Sequence, residues 1–214
     1  MALVGSLKGS FPFRFYVCLM SQVLDPGSWI SFQVPAVRLW ATGGRMVVGD
    51  GLAPPFELGD FDAIHASTPC QAWTAYKRRT GHVAPRPELI GPVREMLEAS
   101  GVPWVIENVP GAPVTGVTLC GSSFGLDVRR HRVFETSWGQ VLAPPCDHDW
   151  QGARFAQAGN RTARRKTVEV GVWRIPLAVQ RAAMGIDWME LEELSEALPP
   201  AYTEWLGREL LARL

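Results

Sequence analysis

Two short apolar runs flanking one well-formed amphipathic helix constrain this chain more than any other feature. Phe61–Ala66 and Val102–Val109 have strand length and strand composition, and each ends in a polar or glycine-containing loop. Between them, Pro87–Ser100 carries Leu89, Ile90, Val93, Met96 and Leu97 at helical spacing, and Gly101 follows as a C-terminal stop. Strand, helix, strand in this order predicts a parallel pair joined by a crossover helix, and hence an α/β sheet. Arg45–Val48, Thr118–Cys120 and Arg132–Thr136 read as further strands, with late helices over about 176–185 and 201–214. Ligands in such sheets bind beyond the carboxyl ends of the strands. Residues placed there are therefore read first.

Cys70 stands in S-T-P-C-Q, just past the first run. A thiol is a strong nucleophile once deprotonated, and loop ends near helix N-termini favour the thiolate. Glu107, in E-N-V, closes the second run. A carboxyl group at a dry strand end can carry or share a proton at neutral pH. Arg130 and Arg132 alternate as R-x-R before an apolar strand, which predicts two guanidiniums on one face, suited to a base carbonyl and a phosphate. Each has a plainer structural reading: a buried cysteine, a salt-bridged carboxylate, a basic edge strand.

Composition narrows the class. A chain of 214 residues with 47% hydrophobic and 20% charged residues fits one globular domain with a substantial core. Net charge is zero, but basic residues outnumber acidic ones from Arg129 to Lys166, enough to grip phosphates locally. Nine tryptophans read mainly as core. Trp138, Trp150 and Phe155 interleave with Arg154, Arg161, Arg164 and Arg165, either as a base-stacking surface or as a small hydrophobic nucleus. The four cysteines form no C-x-x-C pair and no disulfide pattern. Cys146-Asp147-His148 with Cys120 suggests zinc, but the spacing matches no standard site, so no metal is assigned. No apolar run reaches the roughly 20 residues of a membrane span. The start around Lys8 is too short and interrupted for a signal peptide. A cytoplasmic monomer without membrane contact is expected.

Taken in order, these motifs resemble the DNA cytosine-5 methyltransferase family, specifically its compact phage and prophage members, over roughly three quarters of the chain from Val47 onward. V-V-G-D-G-L resembles the loop whose Asp, here Asp50, contacts the adenine of S-adenosylmethionine. F-D-A-I-H-A-S-T-P-C-Q-A resembles the nucleophile motif, W-V-I-E-N-V-P-G-A the glutamate motif, and F-G-L-D-V-R-R-H-R-V-F the arginine motif. R-I-P-L-A-V-Q-R-A-A-M-G-I and A-L-P-P-A-Y-T-E-W-L-G resemble the closing segments beside the cofactor. The resemblance implies a Rossmann-like class I methyltransferase sheet with a small basic, loop-rich recognition lobe. It implies S-adenosylmethionine as cofactor, near Asp50, Pro69 and Ala201. It makes Cys70, Glu107, Arg130 and Arg132 the catalytic set, acting on a cytosine flipped out of DNA. Gln71, Arg154, Arg161, Arg164, Arg165 and Lys166 would meet the DNA.

The family also expects an aromatic-x-Gly-x-Gly loop near the N-terminus, followed by an acidic residue. Here Val23-Leu24-Asp25 reads as the end of a first strand, but Pro26-Gly27-Ser28-Trp29 is no glycine loop. Either the cofactor half is remodelled, or the N-terminus is degenerate, mis-started or frame-shifted. The expected division is an atypical segment 1–44, a catalytic core 45–136, a recognition lobe 137–173 and closing helices 174–214. The enzyme stands against two alternatives: a catalytically silent DNA-binding relic with a decayed cofactor pocket, and an RNA cytosine-5 methyltransferase.

Overall fold

The computed structural model describes residues 15–19, 36–41, 45–70, 73, 88–151 and 167–214. Seven strands are present among them: β1 (Phe15–Leu19), β2 (Ala36–Ala41), β3 (Arg45–Asp50), β4 (Ala63–Ser67), β5 (Trp104–Asn108), β6 (Val117–Leu119) and β7 (Arg132–Thr136). They form one mixed sheet in the order β3-β2-β1-β4-β5-β7-β6. Strands β1, β4 and β5 run parallel, while β7 is antiparallel to β5. The chain is therefore mixed α/β, with a strand order compatible with a Rossmann-like sheet but with β2 antiparallel to both its neighbours. Among the described residues no helix is long and apolar enough to cross a membrane.

The N-terminal strands depart from expectation. Residues 1–44 show no persistent period, yet Phe15–Leu19 and Ala36–Ala41 are strands. Each is a run of only five or six residues, with Gly, Pro and Ser between, too short to establish a pattern by itself. Both β1–β2 and β2–β3 pair antiparallel. Two reversals bring β3 back to the direction of β1, so Asp50 ends its strand on the same sheet edge as Leu19, Ser67 and Asn108. The expected strand end at Val23-Leu24-Asp25 lies outside the described residues.

Chain contacts divide the molecule into two units. The first comprises the described parts of Phe11–Val117 with Val133–Gln140. Its helix α1 (Ile90–Ser100) starts three residues inside the predicted span, where the Glu88 carboxylate accepts the Ile90 and Gly91 N–H groups at 2.6 and 3.3 Å. A carboxylate there satisfies donors that the first turn leaves open and complements the helix dipole. Gly101 ends the helix at φ 67°, a left-handed conformation that glycine adopts without penalty. Ile90, Val93 and Leu97 pack with Ile64, Ala66, Trp104 and Ile106, and β5 is buried along its whole length. Burying each such side chain contributes about 1.5–3 kcal/mol. That core holds β4 and β5 in register.

The second unit comprises Thr118–Arg132 with the described parts of Val141–Leu214. After a single helical turn at His148–Gln151 come α2 (Leu177–Met184), α3 (Leu191–Glu196) and α4 (Pro200–Leu211). Helices α2 and α4 fall where the sequence predicts them. Helix α3, which the sequence does not predict, owes its start to a capping box between Glu190 and Glu193. Val128, Ala183, Met184, Ile186, Met189, Leu194 and Ala197 form this unit's core.

Candidate functional site

In the first unit, β4 and β5 deliver two of the predicted residues to one sheet edge. Ser67 and Glu107 are partners in the parallel register, and Cys70 follows Ser67 by three residues. Glu107 is buried at 7% exposure, whereas Cys70 is half-buried. A side-chain staple joins the two strand ends. The Asn108 amide donates to the Thr68 hydroxyl at 2.7 Å and to its carbonyl at 3.1 Å, while the Asn108 side-chain oxygen accepts the Val109 N–H at 2.8 Å. Asn108 and Thr68 are buried, so each bond forms out of competition with water. The turn after β4 closes through the Trp73 N–H, which donates to the Cys70 carbonyl at 2.8 Å. Pro69 lies half-buried between the staple and Cys70.

Two positions before Ser67, His65 is the central residue of β4. Its ring meets Phe134 edge-on at 6.4 Å, and its Nε2 lies 3.2 Å from the Ser67 hydroxyl. Loss of hydration drives this imidazole down to about 4, so it is neutral at physiological pH. Behind the edge, Arg94 donates twice to the Glu135 carboxylate at 2.6 and 2.9 Å and once to the Pro113 carbonyl at 3.0 Å. Burial would raise the Glu135 carboxyl, but the bonds from Arg94 and from the Thr115 N–H prevail and hold it below its ordinary value.

Arg130 and Arg132 belong to the second unit, and they do not share a strand face. Arg132 opens β7, with Nη1 donating to the His131 carbonyl at 2.9 Å. Arg130 precedes the strand at φ 36°. A left-handed residue breaks the alternation on which an R-x-R face depends. The conformation is held from both sides. Its guanidinium donates to the carbonyls of Ala197 and Ser195, each at 2.7 Å, and the Tyr202 hydroxyl donates to the Arg129 and Arg130 carbonyls at 3.2 and 3.1 Å. Ala201 sits half-buried in the first turn of α4, beside the buried Tyr202. Gln71, Arg154, Arg161, Arg164, Arg165 and Lys166 lie outside the described residues. So does the side chain of Asp50, whose backbone ends β3.

The second unit also gathers a group that the sequence reading only half assembles. Cys120, His131, Cys146 and His148 bring one sulfur or nitrogen each within 4.8 Å of one another. Burial would raise the Cys120 thiol, but hydrogen bonds from His131, Ser122 and His148 outweigh it and bring the thiol to about 6. Cys146 moves the other way, raised by burial and by the negative charge of Cys120. His131 is the member without a sequence signal. It stands between two arginines, in a motif read for its guanidiniums.

No protein-family model and no curated protein sequence matches the chain.

Proposed function

We propose that the chain is a DNA cytosine-5 methyltransferase of compact form, with Cys70 as nucleophile and Glu107 as the proton-handling group. The observation that carries this reading is the stapled edge. Adjacent parallel strands end in P-C-Q and E-N-V, and Asn108 bonded to Thr68 keeps the two loops together. A planar ring that must be approached by sulfur on its face and by a carboxyl at its rim needs that kind of fixed pair.

The sheet also fits the cofactor that the resemblance implies. The strand order reverses between β1 and β4, the place where doubly wound sheets take nucleotides, and Asp50 puts a carboxylate-bearing residue on the same edge. S-adenosylmethionine, when bound, supplies an electrophilic methyl group. The protein's own part is to make cytosine C5 nucleophilic. The Cys70 thiolate bonds to C6, the C5=C6 electron pair moves toward C5, and Glu107 in its protonated form gives its proton to N3, which neutralises the negative charge that develops on the ring. After C5 has been alkylated, N3 returns its proton to Glu107, the C5 proton passes to solvent, the C5–H electron pair restores C5=C6, and the C6–S pair leaves with Cys70 as thiolate. The resemblance implies a phosphate- or base-binding role for Arg132, which opens β7. Arg130 acts instead as a positioning residue, because its donors engage the carbonyls of Ser195 and Ala197. Exposed Trp173, with Arg174 stacked 5.5 Å from its ring, offers a surface that suits unstacked bases.

One observation favours the second reading, a silent DNA-binding relic. Antiparallel pairing of β1–β2 and β2–β3 stands where crossover helices belong in a doubly wound sheet. The test separates the two. A DNA duplex carrying 5-fluorocytosine, incubated with S-adenosylmethionine, is expected to give an adduct that survives denaturation, because fluorine cannot leave as a proton does. Cys70→Ser should abolish it without altering the circular dichroism spectrum. DNA association with no adduct from the unaltered chain would select the relic, and an adduct retained in Cys70→Ser would move the nucleophile elsewhere.

A further inference from the structure

Four side chains of the second unit converge from three separate stretches of chain. Cys120 follows β6, His131 precedes β7, and Cys146 and His148 flank Asp147 at the start of the single helical turn. Cys120 Sγ lies 3.3 Å from His148 Nε2, and Cys146 Sγ lies 3.6 Å from His131 Nε2. The two imidazoles meet edge to face with centroids 5.0 Å apart. In a tetrahedral zinc site, with Zn–S near 2.3 Å and Zn–N near 2.0–2.1 Å, neighbouring ligand atoms must stand about 3.3–3.8 Å apart. The two sulfur–nitrogen distances lie in that range, and no pair among the four atoms exceeds 4.8 Å. Hydrogen bonding alone would let a thiol and an imidazole associate pairwise. It gives no reason for all four donors to close on one point.

The backbone around the group is fixed independently of it. A Cβ on Gly121 would sit 2.1 Å from the Val128 carbonyl oxygen, so the loop after Cys120 closes only with glycine there. The Ser122 hydroxyl lies 3.1 Å from Cys120 Sγ and accepts the Asp147 N–H at 3.1 Å, bridging the two cysteine segments. The Ser123 hydroxyl donates to the carbonyls of Pro144 and Pro145, immediately before Cys146. Hydroxyls outside the donor set that hold ligand-bearing segments are what a metal centre's supporting shell provides.

We propose that Cys120, His131, Cys146 and His148 bind one zinc ion in a structural, four-protein-ligand site. A full set of two thiolates and two imidazoles suits zinc and leaves no position for substrate water. The ion would tie the segment between β6 and β7 to the Cys146–His148 stretch. It would also anchor His131, and with it the backbone between Arg130 and Arg132.

Metal content tests this directly, without reference to methyl transfer, so the failure of either reading leaves the other standing. The full chain, produced with zinc in the medium and dialysed, should hold about one zinc per molecule by atomic emission. Replacement by cobalt should give the visible bands of a tetrahedral site and a near-ultraviolet thiolate-to-cobalt transition. Cys146→Ser, at the most exposed ligand, and His148→Ala should each lose the metal while circular dichroism reports a folded chain. The cobalt spectrum of the unaltered chain decides the matter where a variant does not fold. A folded, unaltered chain without zinc overturns the proposal, whether its thiols are free or Cys120 and Cys146 are joined as a disulfide. Zinc retained in both folded variants overturns it as well.

Discussion

Cys70 and Cys120 both follow short strands, and the structure gives them opposite circumstances. Cys70 is half-buried at a sheet edge, and its loop is held through neighbours: Thr68 by the Asn108 amide, and its own carbonyl by Trp73. Cys120 has no exposed surface, and its sulfur meets the Ser122 hydroxyl and the His148 ring. The Cys120 thiol pKa is lowered although its side chain has no exposed surface. Acidity alone therefore does not identify a nucleophile. In the proposed reading, access and the nearby Glu107 mark Cys70 as the nucleophile, and the convergence of donors marks Cys120 as a metal ligand.

Separate functions for the two regions should be separable by mutation. The largest effect is expected from Glu107→Gln, which keeps the shape and removes the titrating oxygen. Methyl transfer should fall about 10²–10⁴-fold, with zinc content unchanged. Loss of zinc in this variant would mean that the two regions are not independent, and an undiminished rate would remove Glu107 from the chemistry.

Acid should distinguish the regions next. The folded-state pKa of His65, about 4, lies below the ordinary 6.5, so the fold favours the neutral ring. Above pH 6.5 this has no effect on stability. As pH falls from 6.5 toward 4 the unfolded chain takes up a proton that the folded chain refuses, and stability declines by at most roughly 3 kcal/mol, less where solvent screens the ring. Urea titrations at fixed zinc should show this slope in the unaltered chain and not in His65→Gln. Equal slopes would place the acid sensitivity elsewhere than His65.

A smaller change should follow from Asn108→Ala, which leaves the Thr68 hydroxyl and carbonyl without their buried donor. Stability should fall by about 2 kcal/mol, read as a lower thermal midpoint, and fluorocytosine trapping should slow because the Cys70 loop loses its tie to β5. Zinc content should not move. Trapping at the original rate in a destabilised variant would reduce the staple to a folding device.

The sequence alone determined whatever is encoded in neighbouring residues. β7 is found at Arg132–Thr136 as predicted, β5 lies within Val102–Val109, and α1 ends at Gly101, because contiguous apolar runs and local stop signals act within a few residues. The placement of Cys70 and Glu107 just past or at strand ends was legible for the same reason. Tertiary structure decided the rest. Nothing local to residues 15–50 says that β2 runs antiparallel to β1 and β3, since strand direction is set by the partner and not by the run itself. The left-handed turn at Arg130 depends on carbonyls at Ser195 and Ala197 and on the Tyr202 hydroxyl, more than sixty positions away. His131 carries no signal beyond an R-R-H-R string, and it becomes a fourth donor only when two loops close on Cys120 and Cys146. Side-chain convergence across loops is a property of the packed chain, because burial and loop closure, not residue order, bring those atoms together.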